Sequence, residues 1–107
     1  MTRHRYSIRA ALCAFALGTF VITAASHADP AKWKDTIDKW VEQDAKDPPK
    51  QNHVLFVGSS SIRMWKTDEY FPDIKPINRG FGGSQFEDVL AYMDKIVLPY
   101  KPHTIVV

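Results

Sequence analysis

The run Val54-Leu55-Phe56-Val57 is the strongest constraint on the fold. It is apolar throughout and is closed at once by Gly58. A strand with no polar alternation has no face to give to water. It must be covered on both sides, which is the environment of a parallel sheet. Thr104-Ile105-Val106-Val107 reads as another strand, β-branched throughout. Lys75 to Asn78 reads as a third, and Pro76 inside it sends it to a sheet edge, because proline cannot donate to a ladder.

Segments of helical period separate these runs. Asp29-Pro30 opens a helix expected to reach about Ala45, with Trp33, Ile37, Trp40 and Val41 on one stripe. Pro48-Pro49 stops it inside a polar linker from Asp44 to Asn52. A helix start is expected from Ser59 to about Lys66. Ser84-Gln85-Phe86-Glu87 has the S-x-x-E form of a capping box. The helix it opens carries Phe86, Val89, Leu90, Met93 and Val97 on one face, until Pro99 and Pro102 close it. Strand, helix, strand, helix, strand is the order of an α/β domain with a parallel sheet.

The first 28 residues stand apart from this domain. Arg3, Arg5 and Arg9 precede an uncharged apolar stretch from Ala10 to Ala25, and Ser26-His27-Ala28 sets small residues at −3 and −1 of a cleavage point. The stretch is shorter than the ~20 residues that span a bilayer. A cleaved secretory signal is therefore expected over 1–28, with a periplasmic or secreted product and no stable membrane span. Removing it leaves 79 residues with 11 basic and 12 acidic side chains, a formal charge of −1. The basic excess belongs to the signal and argues for no nucleic-acid partner. The lone Cys13 leaves with it, so neither a disulfide nor a thiolate metal site is expected.

Two segments bear on chemistry. Gly58-Ser59-Ser60-Ser61 lies where a buried strand turns into a helix, at the carboxyl end of the sheet where α/β sites form. A serine there is either a nucleophile or a plain helix cap. Gly80-Phe81-Gly82-Gly83 is either a tight turn or a source of backbone N–H groups for an oxyanion. The G-x-S-x-G elbow is excluded because Ile62 stands where its last glycine belongs. Dinucleotide and P-loop motifs are absent as well.

Taken together, Val54 to Trp65 and Asn78 to Ser84 resemble the first two sequence blocks of the SGNH/GDSL hydrolases, in particular a bacterial branch whose first block reads G-S-S-S-I-R-x-W. The resemblance covers 54–107. It implies a three-layer α/β/α flavodoxin-like sandwich with strand order 2-1-3. It also implies a serine esterase or lipase working through an acyl-enzyme, with no metal or organic cofactor and a small-molecule or carbohydrate ester as substrate. By position Ser60 is the nucleophile and an oxyanion donor, and Gly83 supplies a second oxyanion N–H. Ser59 stands where the family usually has Asp.

The family's later G-x-N-D and D-x-x-H blocks have no match here. The chain therefore reads as residues 1–28 signal, 29–52 helix and linker, and 53–107 the first part of a hydrolase domain, truncated after the third strand and inactive alone. An O-acyltransferase or a non-catalytic binding module on the same fold are the alternatives.

The remaining marked residues read structurally. His53 and His103 precede strands and should lie at the opposite edge as solvated loop residues. Trp33, Trp40 and Trp65 read as packing residues, and Arg63 as solvated or ion-paired. Asp35, Asp38, Glu42 and Asp44 read as a solvated helix face with no metal-ligand pattern. Amino-terminal sequencing of exported protein should find Asp29 first; a start at Met1 would refute the signal.

Overall fold

A computed structural model describes residue 25 and residues 27–107. Apart from residues 25, 27 and 28, the expected signal segment lies outside the described residues. A 3-10 turn, Pro30–Trp33, leads into helix α1, Lys34–Lys46. Strand β1 is Val54–Gly58, followed by the short helices α2, Ser60–Met64, and α3, Thr67–Tyr70. Strand β2 is Ile77–Gly80. Helices α4, Phe86–Ala91, and α5, Met93–Ile96, precede a 3-10 turn Leu98–Tyr100 and strand β3, Thr104–Val106. No helix among the described residues is long and apolar enough to cross a membrane.

The fold is α/β, with a three-stranded parallel sheet in the order β2-β1-β3. Its centre is the uninterrupted apolar strand β1, as the composition of that run requires. The pleat sends Leu55 and Val57 to one face and Phe56 to the other. Leu55 and Val57 join Ile37, Phe81, Val89, Ile96, Val97 and Tyr100 in one buried cluster beneath α1, α4 and α5. Phe56 stacks on Phe71 and meets Trp65 edge-on, with ring centroids 5.8 and 5.2 Å apart. These aromatic contacts place the α2–α3 segment over the other face.

Several local expectations are corrected. β2 begins at Ile77 rather than Lys75, so Pro76 precedes the edge strand instead of lying within it. The helix after the glycine turn is not continuous. It breaks at Tyr92, whose backbone sits at φ −115°, ψ 10° and whose hydroxyl donates to the Pro30 carbonyl at 2.7 Å. Of the expected stripe, Val89 and Val97 are buried, while Phe86 and Leu90, both ahead of the break, are exposed; Ile96, off the stripe, is buried beyond it. The capping box also moves by one residue: Gln85 caps α4 and Asp88 returns the bond, accepting from the Gln85 N–H at 2.8 Å. Ser84 is drawn off because its hydroxyl donates to the Gly58 carbonyl, 3.3 Å away.

Asp44 does not belong to a solvated face. Its carboxylate accepts from Arg79 Nη2 at 2.7 Å and from the Tyr100 hydroxyl. Arg79 Nε donates to the Tyr100 oxygen at 2.8 Å, and the guanidinium lies 5.3 Å from the Trp40 ring centroid. The cluster joins α1, β2 and the turn before β3. Removal from water, reinforced by the bond to Asp44, pushes the Tyr100 hydroxyl up to about 12, although Arg79 opposes the shift. An unfolded tyrosine titrates near ~10. Between those values the unfolded chain loses a proton that the folded chain keeps. The stabilisation is thus complete below pH ~10 and disappears as the pH rises through ~12. Thermal unfolding of the full chain should show a fall in midpoint over this window that Tyr100→Phe removes.

Candidate functional site

The serine turn is positioned by contacts made on β2. Gly58 ends β1 and is in register with Gly80, the last residue of β2. A Cβ on Gly80 would stand 2.3 Å from the Arg63 backbone nitrogen and 2.7 Å from the Ile62 carbonyl carbon. The backbone of α2 therefore rests directly on β2, at a distance only glycine permits. Asn78 fastens the same helix from two residues earlier. Its Nδ2 donates to the Ile62 carbonyl at 2.8 Å and to the Trp65 carbonyl at 3.2 Å, while its Oδ1 accepts from the Gly80 N–H at 2.9 Å. The residue types were visible in the sequence. Their function as a clamp was not, because it depends on which chain segment crosses β2.

Ser59 is the N-cap of α2, and Ser60 is its first residue. The Ser60 N–H donates to Ser59 Oγ at 2.6 Å. The donor that the resemblance assigns to an oxyanion is thus already engaged by the residue standing where Asp is usual. Ser59 and Ser61 border a cavity of about 180 Å³ together with Ser84, Gln85, Phe86 and Val107. Ser60 is half-buried at the helix start and is not among the residues lining that cavity.

The second block arrives beside the first. The Phe81 N–H donates to the Gly58 carbonyl at 2.9 Å, and Ser84 Oγ reaches the same oxygen. Phe81 is buried to 1% exposure and packs edge-on against Trp33 and Trp40, with centroids 5.5 and 6.2 Å away. Those two tryptophans act as packing residues, as expected. Gly83 is exposed and holds φ +81°, a left-handed conformation suited to glycine. Its N–H has no hydrogen-bond partner among the described residues. The Arg63 side chain lies over Gly82, where a Cβ would meet its Nε at 2.6 Å. That places Arg63 on the glycine turn rather than in an ion pair.

Ser60 and Gly83 therefore share the carboxyl end of the sheet. His53 and His103 do not join them. Each stands one residue before a strand, at the amino edge, with His53 Nδ1 on the Lys75 carbonyl and His103 Nδ1 on the Thr104 hydroxyl. Among the described residues, no imidazole is placed to take a proton from Ser60. No family model, curated protein or solved structure matches this chain.

The clamp yields a direct test. Gly80→Ala should destabilise the full chain by about 1–3 kcal/mol, the usual range for forcing extra volume into a packed site. Urea unfolding monitored by tryptophan fluorescence would measure it. A change within error would show that α2 can lift from β2 freely.

Proposed function

We propose that this chain carries the nucleophile and oxyanion segments of a serine-dependent carboxylic ester hydrolase of the SGNH/GDSL type, exported from the cell. One observation carries the reading: a serine cluster at the strand-to-helix turn of the central strand, fastened through Gly58 to a glycine turn whose Gly83 N–H is unpartnered among the described residues. In the proposed reaction, Ser60 Oγ attacks the ester carbonyl and forms the bond to the acyl carbon. The tetrahedral oxyanion is held by N–H groups, of which Gly83 supplies one. Collapse expels the alcohol and leaves an acyl-enzyme, which water then hydrolyses. A base must accept the Ser60 proton, and it would come from outside the described residues. Acyl transfer to a sugar hydroxyl uses the same first half of this cycle.

A second reading has its own support. The Ser60 N–H is already bonded to Ser59 Oγ rather than free for an oxyanion, which favours a binding module without turnover. Fluorophosphonate labelling separates the two. The hydrolase reading expects labelling of Ser60 that Ser60→Ala abolishes and Ser61→Ala largely keeps. Labelling that survives Ser60→Ala moves the nucleophile to a neighbouring serine. Absence of labelling in protein that retains its fold supports the binding module.

A further inference from the structure

Where β2 ends, the edge of the sheet carries an open depression of about 400 Å³. Trp33 and, from α1, Thr36 and Trp40 border it together with Arg63 of α2 and the glycine turn from Gly80 to Gly82. None of Ser59, Ser60 and Ser61 borders it. The ester chemistry leaves these side chains without a task.

Arg63 is exposed, and its guanidinium makes no hydrogen bond or ion pair among the described residues. Arg79, by contrast, is engaged by Asp44 and Tyr100. The Arg63 guanidinium lies along Gly82, where a Cβ would stand 2.6 Å from Nε, 3.2 Å from Cζ and 3.3 Å from Nη2. Gly82 lacks the positive φ of Gly58 and Gly83, so its backbone does not call for glycine. What the absent side chain provides is room for the guanidinium beside the two indoles.

A guanidinium offers five N–H donors in a planar fork that pairs with both oxygens of a carboxylate. Lys32 Nζ, 4.9 Å from the Trp33 ring centroid, adds positive charge beside the same wall. Trp33 and Trp40 are half-buried, so part of each indole stays open to a ligand. Sites of this size hold an apolar body and orient it with a few polar groups. A uronic acid combines the required features: C–H bonds cover the pyranose face, hydroxyls occupy its rim, and a carboxylate stands at one end. We propose that Arg63, Trp33 and Trp40 form a binding site for a carboxylate-bearing sugar. Arg63 takes the carboxylate, the indoles take the C–H face, and Thr36 supplies a hydroxyl for the rim. The site is separate from the serine turn and does not depend on ester turnover.

Glucuronate and glucose share a ring and differ in the carboxylate, which makes them matched probes. Proton–nitrogen spectra of the full chain should show one indole N–H signal for each of its three tryptophans. Glucuronate should move those of Trp33 and Trp40 and leave that of Trp65, which packs against Phe56 and Phe71 on the other side of the sheet. Its dissociation constant should be on the order of 1 mM. Glucose should bind at least about tenfold more weakly, because the charge-assisted pair is lost. Arg63→Gln should bring glucuronate to the level of glucose with the circular dichroism spectrum unchanged. Gly82→Ala, which displaces the guanidinium and leaves the α2 sequence intact, should weaken glucuronate in the same direction. Equal binding of glucuronate and glucose, affinity undiminished in Arg63→Gln, or shifts shared by Trp65 would overturn the proposal. Acetate or benzoate bound as tightly as glucuronate would overturn it too, since the site would then read a charge or an aromatic ring rather than a sugar.

Discussion

Three consecutive residues of β2 hold the helical layers to the sheet. The pleat turns Asn78 and Gly80 to one face and Arg79 to the other. On the first face, Gly80 lets the α2 backbone approach to contact and Asn78 bonds its last carbonyls. On the second, Arg79 reaches Asp44 of α1 and Tyr100 ahead of β3. An edge strand of four residues thus connects both layers. The serine turn is positioned by it because α2 cannot shift without breaking the Asn78 bonds.

The two faces are held by different physics. The α1 face combines an apolar cluster with a charge-assisted knot. The knot is tenable because Arg79 and Asp44, with side chains 14% and 18% exposed, satisfy each other while the guanidinium packs against Trp40 and Tyr100. The α2 face has an aromatic trio, Phe56, Trp65 and Phe71, and backbone contact in place of a charged pair. The glycine turn belongs to both. Phe81 anchors it between Trp33 and Trp40, while Gly83 stays at the surface, its N–H without a hydrogen-bond partner among the described residues.

Much of this was legible along the chain. The uninterrupted apolarity of Val54 to Val57 requires cover on both faces, and that gives a central parallel strand. Trp33, Ile37 and Trp40 at helical spacing do pack inward. The errors share a cause. The proposed cap at Ser84 and the stripe through Phe86 and Leu90 were inferred from local pattern. The Gly58 carbonyl, which takes the Ser84 hydroxyl, and Pro30, whose carbonyl takes the Tyr92 hydroxyl where the helix breaks, both come from distant segments. Asp44 was misread for the same reason, since Arg79 lies 35 residues further along.

The sequence by itself determined the α/β class, the central strand, the serine turn at its end and the glycine turn that follows β2, because strand burial and backbone freedom depend on residue type and near neighbours. Tertiary structure alone decided that Asn78, Arg79 and Gly80 act as a clamp, that the Ser60 amide is bonded to Ser59, and that Asp44 meets Arg79 and Tyr100. Each of these is set by the distance between segments that the fold brings together, and no local pattern records such a distance.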